Sequence, residues 1–249
     1  SGVWENADSA AVESVLKDFV RGKENLINPE WNGLSFLHRQ ASRAGALDIG
    51  FYNADPAVKA VVPKVIVLFG SDEIDPKSIP NDAFVVYVGH HGDLGASLAD
   101  VILPGTAYTE KSATYVNTEG RSQMTTAATG PVGSAREDWT IFKALSEYLG
   151  VGLPYEDDRA LRSRIETIAP HLLRIESVEP VSPAVAKLGL EFIPSAKPTG
   201  SKLENPIKNF YFTDVISRNS KTMAQCVGSF GPTVDKVNDE NAHQYLGMA

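Results

Sequence analysis

The sequence has 249 residues and a formal net charge of −8 at pH 7. A globular chain of this length buries roughly 70–75% of the surface that its unfolded form exposes, so its core needs neither a disulfide nor a structural metal. The acidic balance, without a cluster of lysine and arginine residues, excludes a typical nucleic-acid-binding protein, because such proteins displace counterions from phosphates with a basic patch.

Two amphipathic helices are predicted in the first fifth of the chain. Residues 9–21 show helical spacing of their apolar side chains, and Gly22 is placed to end that helix. These apolar residues are Val12, Val15, Leu16, Phe19 and Val20. A second helix is predicted from Leu34 to Leu47, with Gly50 just beyond it; its apolar residues are Leu34, Leu37, Ala41, Ala44 and Leu47.

Three strands are predicted next, at residues 64–70, 83–89 and 100–105. Their apolar runs are nearly continuous rather than alternating, which is typical of parallel strands that are buried on both faces. Each run ends at a glycine, where the loops of an open α/β sheet begin and where its ligands bind. The pattern predicts an α/β fold with an open, mostly parallel sheet and helices on both faces.

A long ordered loop is predicted over residues 106–133, which are rich in Thr, Gly and Asn. Ser134 and Glu137 have the spacing of a capping box, so a helix is expected to begin at Ser134 and to end at Gly150. Its expected buried stripe comprises Trp139, Phe142, Leu145 and Leu149.

The last third of the chain predicts helices separated by irregular segments. One helix is expected at 158–169, with the acidic residues Glu156, Asp157 and Asp158 as its solvated start. Five prolines between residues 176 and 206 predict an extended connector. A final helix is expected at 215–227, and residues 232–249 are expected to fray. We therefore divide the chain into a partial α/β domain, 1–155, and a helical segment with a connector and an irregular carboxy-terminal extension, 156–249.

Cys226 is the only cysteine. It can form no internal disulfide, and it cannot hold an iron–sulfur cluster, which typically needs about four thiolates. We expect it to be a small buried hydrophobe. No apolar run approaches the roughly 18–20 residues that cross a bilayer, and the first ten residues lack the basic and apolar regions of a signal peptide.

The loop from Gly89 to Gly95 follows a predicted strand and contains the adjacent residues His90 and His91. Its glycines could let backbone N–H groups approach a phosphate, and its histidines could bind a metal. The dinucleotide fingerprint has a different glycine spacing, and adjacent histidines are expected to point in different directions. A packed turn with hydrogen-bonded histidines is the favoured interpretation.

Polar residues are dense at Glu110 and Lys111 and again at 117–121. They could bind an anion or carry out acid–base chemistry. Equally, Glu119 or Glu110 could pair with Arg121 while Asn117 binds the backbone, so that the loop satisfies itself. The sequence alone does not separate these alternatives. It contains no nucleophile elbow, Walker loop or H-E-x-x-H motif.

Residues 99–105, 109–111, 114 and 117–121 together resemble a motif of the molybdopterin oxidoreductase superfamily, in which A-D-V-x-L-P leads into E-K-x-x-T-x-x-N-x-E-G-R. Residues 136–139 resemble the helix start that follows it. Five stretches are similar to the large iron–sulfur subunits of respiratory complex I, the NADH:ubiquinone oxidoreductase: HRQAS at 38–42, ALDIG at 46–50, GHHGD at 89–93, YTEKSATYVNTEGR at 108–121 and FYFTD at 210–214.

This resemblance implies the carboxy-terminal part of such a subunit. The iron–sulfur clusters are then expected in an amino-terminal part, whose cysteines have no counterpart here. The molybdoenzyme-like part is expected to have lost its cofactor, so we assign this chain no cofactor, no metal and no catalytic residue. The vestigial candidates for cofactor binding are Gly89, His90, His91, Gly92, Asn117, Glu119 and Arg121.

The implied function is a scaffold that supports electron transfer from NADH to ubiquinone. Its expected partners are other peripheral-arm subunits of complex I and the cluster-bearing part of the same subunit, without nucleic acid or direct membrane insertion. The expected location is the matrix side of the mitochondrial inner membrane. Two alternatives stay open: a working fragment of a molybdopterin oxidoreductase, and a free assembly or adaptor protein from a split gene.

Overall fold

The computed structural model describes residues 3, 6–28, 33–38, 40, 43–51, 61–179, 193, 195–202, 205, 207 and 209–230. The chain forms two compact units, each assembled from three separate stretches. The first unit takes residues 1–52, 114–124 and 157–206, and the second takes 53–113, 125–156 and 207–249. Each unit therefore draws on both of the ranges predicted as domains.

The described residues form seven α-helices and five strands. The helices are α1 (Ser9–Val20), α2 (Arg43–Asp48), α3 (Leu94–Ser97), α4 (Asp138–Tyr148), α5 (Asp158–Ile168), α6 (Val215–Arg218) and α7 (Lys221–Phe230). The strands are β1 (Val65–Phe69), β2 (Phe84–Gly89), β3 (Val101–Pro104), β4 (Thr114–Val116) and β5 (Ser122–Met124). Short 3₁₀ helices lie at Pro76–Ser78 and Pro170–Leu173.

Helix α1 confirms the first predicted helix, but its buried side differs from the expected stripe. Its buried residues are Ala11, Ser14 and Val20, whereas Val15 and Phe19 are exposed. The ring of Phe19 lies beneath the ammonium of Lys23, 4.7 Å from the ring centre. The helical period is thus correct, while the face that packs inward is rotated from the expected one.

The second predicted helix was too long. Residues 33–38 have no helical structure, and α2 begins only at Arg43; residues 39, 41 and 42 lie outside the described residues. Between 33 and 38, exposed and half-buried residues alternate with a period of two. That period belongs to extended chain, in which successive side chains point to opposite sides, and it explains why Leu37 is exposed.

Strands β1, β2 and β3 form a parallel sheet in that order, within one residue of each predicted boundary. Val67 pairs with Val86, and Val86 pairs with Val101. The predicted α/β fold with an open parallel sheet is confirmed. The core on one face contains Leu68, Val85 and Tyr87, packed against Ile74 and Ile79 from one strand connection and Ala96 and Ala99 from the next.

The expected loop at 106–133 contains the antiparallel hairpin of β4 and β5, which belongs to the first unit. Val116 of this hairpin packs with Ala169 and Leu172. The predicted capping box is wrong, since α4 begins at Asp138 and the Glu137 side chain makes no capping bond. Just before it, the backbone N–H of Arg136 donates to the carbonyl of Pro104, and Arg136 bridges to Gly105, so the chain is still extended there.

The structure confirms only part of the buried stripe predicted for α4, and it confirms the helix predicted after it. Trp139, Phe142 and Leu145 of α4 are half-buried, but Leu149 lies beyond the helix and is exposed. Helix α5 confirms the helix predicted at 158–169, and Asp157 caps it by accepting a hydrogen bond from the backbone N–H of Ala160 at 2.7 Å.

The helix predicted at 215–227 is broken into α6 and α7. The carboxylate of Asp214 caps the first, and the hydroxyl of Ser220 accepts from the backbone N–H of Met223 in the second. Two capping residues six positions apart divide what the apolar spacing suggested was one helix. Cys226 is half-buried rather than buried.

The proline-rich connector is irregular wherever it is described, namely at residues 176–179, 193, 195–202 and 205. The rest of it, and the carboxy-terminal segment 232–249 that was expected to fray, lie outside the described residues. None of the helices in the described part of the chain has the length and apolarity required to cross a bilayer.

Candidate functional site

The glycine–histidine loop begins at the carboxyl end of β2, within the second unit. The expectation that its two histidines point apart is wrong. The Nδ1 atoms of His90 and His91 lie 2.6 Å apart, and their rings meet edge to face with centroids separated by 4.8 Å. One ring must donate its Nδ1–H to the other, so the pair shares a proton at these two atoms.

The histidine pair is poorly suited to carry positive charge. Burial lowers the pKa of His90 first, and the neighbouring His91 and Lys111 lower it further. Both rings are half-buried. The Nδ1–Nδ1 contact needs one donor and one acceptor, so it excludes two imidazolium rings.

A buried acid lies beneath this loop. The hydroxyl of Tyr87 is 2.8 Å from Asp72 Oδ2 and 3.1 Å from the carbonyl oxygen of His91. The backbone N–H of Gly95 donates to Asp72 Oδ1 at 3.2 Å. Burial raises the pKa of the Asp72 carboxyl, and burial together with the adjacent Asp72 raises the pKa of Tyr87. Asp72 follows the end of β1, as His90 follows the end of β2. This position after a strand end is the only sequence signal that could have marked Asp72 as a candidate site residue.

A buried ion pair holds the far end of the same loop. Arg218 Nε donates to Asp93 Oδ2 at 2.5 Å, and Arg218 also approaches Glu73 at 3.5 Å. Arg218 ends α6, far from the loop in sequence, so no local pattern predicted this contact. The loop is thus held at three points: by Tyr87 at His91, by Arg218 at Asp93 and by Asp72 at Gly95.

Glu110 and Lys111 serve structural contacts within the second unit. Glu110 accepts a hydrogen bond from the backbone N–H of Ala107 at 3.2 Å, and Lys111 forms a half-buried ion pair with Asp138. A side chain at Gly105 would place its Cβ 2.6 Å from Asp138 Oδ1, so the glycine permits the close approach of α4 to the end of β3. Within the described residues, the buried hydroxyl of Thr106 has no hydrogen-bond partner.

The loop from Asn117 to Arg121 lies in the first unit, between β4 and β5. Asn117 Oδ1 accepts from the backbone N–H groups of Glu119 and Arg121, at 3.1 and 2.9 Å. Arg121 Nε lies 2.6 Å from Glu119 Oε1, and this contact is the first cause of the lowered pKa of Glu119. Gly120, with φ of 86°, supplies the left-handed residue of the turn.

These contacts form the internally satisfied network that was one of the two alternatives for the polar loop. Glu119, and not Glu110, is the partner of Arg121, and Asn117 organises the backbone. A further donor of Arg121 reaches the carbonyl of Glu176 at 2.6 Å. No pattern in the sequence indicated Ser122, whose buried hydroxyl donates to the carbonyl of Leu172 at 2.5 Å and connects the hairpin to the 3₁₀ helix.

The predicted candidate residues thus fall into two groups. Gly89, His90, His91 and Gly92 lie in the second unit, and Asn117, Glu119 and Arg121 lie in the first. Across the described ranges, no three histidine, cysteine, aspartate or glutamate side chains gather as metal ligands would. The arrangement around each group is one of hydrogen bonds and ion pairs among the chain's own residues.

Comparison with known proteins identifies two matching families. A model described as molybdopterin oxidoreductase matches residues 1–148. A second, described as the C-terminal region of a subunit of NADH-ubiquinone oxidoreductase, matches residues 177–226. The two matches together confirm the resemblance predicted from the motifs at 99–121 and at 210–214.

Similar proteins are known from fungi and plants. The chain is 56% identical, over 96% of its length, to the mitochondrial NADH-ubiquinone oxidoreductase 78 kDa subunit of Candida albicans. It is 49% identical over 91% of its length to the protein of the same name from Neurospora crassa, and 43% identical over 91% to the mitochondrial NADH dehydrogenase [ubiquinone] iron-sulfur protein 1 of Solanum tuberosum. It spans about a third of each relative: 34%, 31% and 30%.

Proposed function

Because the chain belongs to the molybdopterin oxidoreductase family, we propose that it is a cofactor-free scaffold within the large peripheral-arm subunit of respiratory complex I. In that role it supports electron transfer from NADH to ubiquinone on the matrix side of the mitochondrial inner membrane. The observation that carries this proposal is the similarity of nine-tenths or more of the chain to large subunits of this complex. Its partners are the cluster-bearing part of the same subunit and neighbouring peripheral-arm subunits.

The polar residues of the family motif support a role without a bound cofactor. Asn117, Glu119 and Arg121 direct their polar atoms at one another and at the backbone, and Lys111 is paired with Asp138. To bind an anionic cofactor, these residues would have to exchange formed contacts for new ones. A preorganised site would instead direct unpaired donors at the position of the ligand. The residues present therefore do not fit a cofactor site.

The contacts of the glycine–histidine loop support a mechanical function. Buried polar groups bind this loop at three points: Tyr87 binds the carbonyl of His91, Arg218 binds Asp93, and Asp72 binds the backbone N–H of Gly95. Fully satisfied polar networks make a local structure rigid and specific. An electron-transfer subunit needs such rigidity, because electron tunnelling falls steeply with distance and the clusters must keep their separation.

The proposal is tested by locating the protein in native membranes. Membranes are solubilised in detergent, resolved on a native gel stained for NADH dehydrogenase, and the active band is resolved again under denaturing conditions for mass spectrometry. Peptides of this chain in the active band support the proposal, and their position on the denaturing gel gives the length of the polypeptide that carries them. Peptides found only outside that band contradict it.

The complex in the same band also tests the alternative that this chain is a working molybdoenzyme. Molybdenum and pterin are measured in the purified complex against its iron content. The scaffold function predicts iron without stoichiometric molybdenum or pterin. Molybdenum and pterin that co-purify at one equivalent per chain would instead establish a working molybdopterin-binding protein.

A further inference from the structure

The contact between His90 and His91 can exist in only some protonation states. A hydrogen bond between their Nδ1 atoms, 2.6 Å apart, needs one Nδ1 that carries a proton and one that does not. Two neutral rings meet this condition, and so does a pair in which one imidazolium donates to its neutral neighbour. When both rings are imidazolium, each Nδ1 carries a proton and no acceptor is left.

The surroundings of His90 oppose a second proton on the pair. Burial lowers the pKa of this ring, and the positive charges of His91 and Lys111 lower it further, whereas Asp138 and Asp72 act more weakly in the opposite direction. Lys111 is paired with Asp138, so these two charges partly offset one another at the histidines. Repulsion between the two imidazolium rings is therefore the largest contribution from charge.

The backbone of the loop is fixed independently of the two rings. Arg218 binds Asp93, and the hydroxyl of Tyr87 lies 3.1 Å from the carbonyl oxygen of His91. Neither contact uses an imidazole nitrogen, so separation of the rings breaks neither of them. Both rings are half-buried. A change of side-chain rotamer can therefore expose a ring further while these backbone anchors stay in place.

We propose that His90 and His91 form a pH-sensitive switch, in which the two rings stay in contact until both are protonated and then separate. The closed form predominates above the ordinary histidine pKa of about 6.5. Because the pKa of His90 is lowered in the folded protein, the contact is lost as the pH falls through that lowered value. The switch goes beyond the proposed function and does not depend on it, since it needs only residues of the second unit.

The acid response of the histidine pair differs in sign from that of Asp72. Burial raises the pKa of the Asp72 carboxyl, so its stabilising contribution is lost as the pH rises. A protonated Asp72 can donate to Tyr87, which frees the Tyr87 hydroxyl to donate to the carbonyl of His91. Acid therefore strengthens the backbone anchor of His91 while it releases the rings, and the movement is confined to the side chains.

Hydroxyl-radical footprinting of the full-length protein tests the switch at about pH 7.5 and about pH 5, on either side of the ordinary histidine pKa. Mass spectrometry measures the oxidation of each side chain. Oxidation of His90 and His91 is expected to rise severalfold in acid, while Tyr87, which is 2% exposed, keeps its low reactivity. Unchanged oxidation of both histidines would overturn the proposal, and so would an equal rise at Tyr87, which would indicate general unfolding.

His91→Asn provides the matched variant. The amide oxygen of asparagine takes nearly the position of Nδ1 and accepts from His90 whether that ring is neutral or charged. The rise in His90 oxidation in acid is expected to disappear in this variant. His171→Gln is the control, because it removes a titratable ring that pairs with Asp48 in the first unit and should leave the response of His90 unchanged. Equal responses in the wild-type protein and in His91→Asn would overturn the proposal.

A second measurement on the wild-type protein needs no substitution. Slow exchange of the imidazole C2 proton for deuterium, followed by mass spectrometry over a pH series, gives the protonation midpoint of each histidine. The midpoint of His90 is expected to lie below the ordinary value of about 6.5. A midpoint at or above that value would overturn the switch, because the pair would then accept both protons without opposition.

Discussion

Arg218 and Asp93 form an ion pair although they are 125 residues apart in the chain. Arg218 Nε lies 2.5 Å from Asp93 Oδ2, and the Asp93 side chain is only 2% exposed. The pair joins the end of α6 to the glycine–histidine loop. A carboxylate so deeply buried depends on its partner, because an isolated buried charge is strongly unfavourable.

Replacing Arg218 with glutamine should destabilise the protein by about 3–5 kcal/mol, the usual effect of removing one partner of a buried ion pair. The free energy of unfolding, obtained from urea denaturation, measures this change. Arg174→Gln is the control, since Arg174 pairs with Glu179 on the surface, where such pairs contribute about 0–1 kcal/mol. Equal losses in the two variants would show that burial of Asp93 is not the cause.

Asp72 should make stability depend on pH. Burial raises its pKa in the folded state, so the folded protein binds the proton more tightly than the unfolded chain. Its stabilising contribution is present below the ordinary aspartate pKa of about 3.9 and is lost as the pH rises through the raised folded value. A protonated Asp72 can donate to Tyr87, whose own hydroxyl then donates to the carbonyl of His91.

Asp72→Asn tests this dependence, because its amide can still donate to Tyr87 and accept from Gly95. Unfolding free energies measured between pH 4 and 8 should fall more steeply in the wild-type protein than in the variant. The other charged groups close to this carboxyl, Asp93 and Arg218, are unchanged in both proteins. Identical slopes would contradict the assignment.

Gly95 should not tolerate a side chain. A Cβ there would lie 2.6 Å from the carbonyl oxygen of Ser71 and 2.8 Å from the ring of Tyr87. Gly95→Ala should therefore cost about 1–3 kcal/mol, as expected for overpacking of a filled interior. In the same loop, Gly92→Ala meets nothing within 4 Å and should change stability by less than about 0.5 kcal/mol. Thermal melting of the two variants compares them directly.

Asn117→Ala should loosen the hairpin turn without unfolding the protein. Asn117 Oδ1 accepts from two backbone N–H groups, those of Glu119 and Arg121, and these bonds lie at an exposed turn. The loss should be about 1 kcal/mol, with hydrogen exchange at those two amides accelerated about fivefold. Gln123→Ala, on β5 of the same hairpin, removes only a long 3.4 Å contact and should leave both exchange rates unchanged.

Deleting residues 33–150 should prevent assembly rather than slow a complex that still forms, because a scaffold contributes its shape and not a catalytic step. The amounts of complex on a native gel and the turnover per assembled complex measure the two effects separately. A control complex carrying Gly92→Ala should assemble normally. An assembled complex with reduced turnover would refute the scaffold function.

The sequence alone determined the parallel strands, helix α5 with its acidic start, and the family. Local physics produces these features: continuous apolar runs specify buried strands, and acidic residues favour the amino-terminal end of a helix. The motif at 117–121 is also local, and its self-satisfied network was one of two stated alternatives. It could be foreseen because its hydrogen bonds join residues two to four positions apart.

Only the tertiary structure decided the contacts that join distant residues. No sequence pattern pairs Arg218 with Asp93, places Tyr87 on Asp72, or brings the two histidine rings together. It also decided that Arg136 bridges to Gly105, which delays the start of α4, and that apolar strand residues such as Val65 and Phe69 are exposed. These contacts depend on which surfaces meet after folding, and burial then sets the electrostatics of the groups that make them. The spacing of residues along the chain therefore does not encode these contacts.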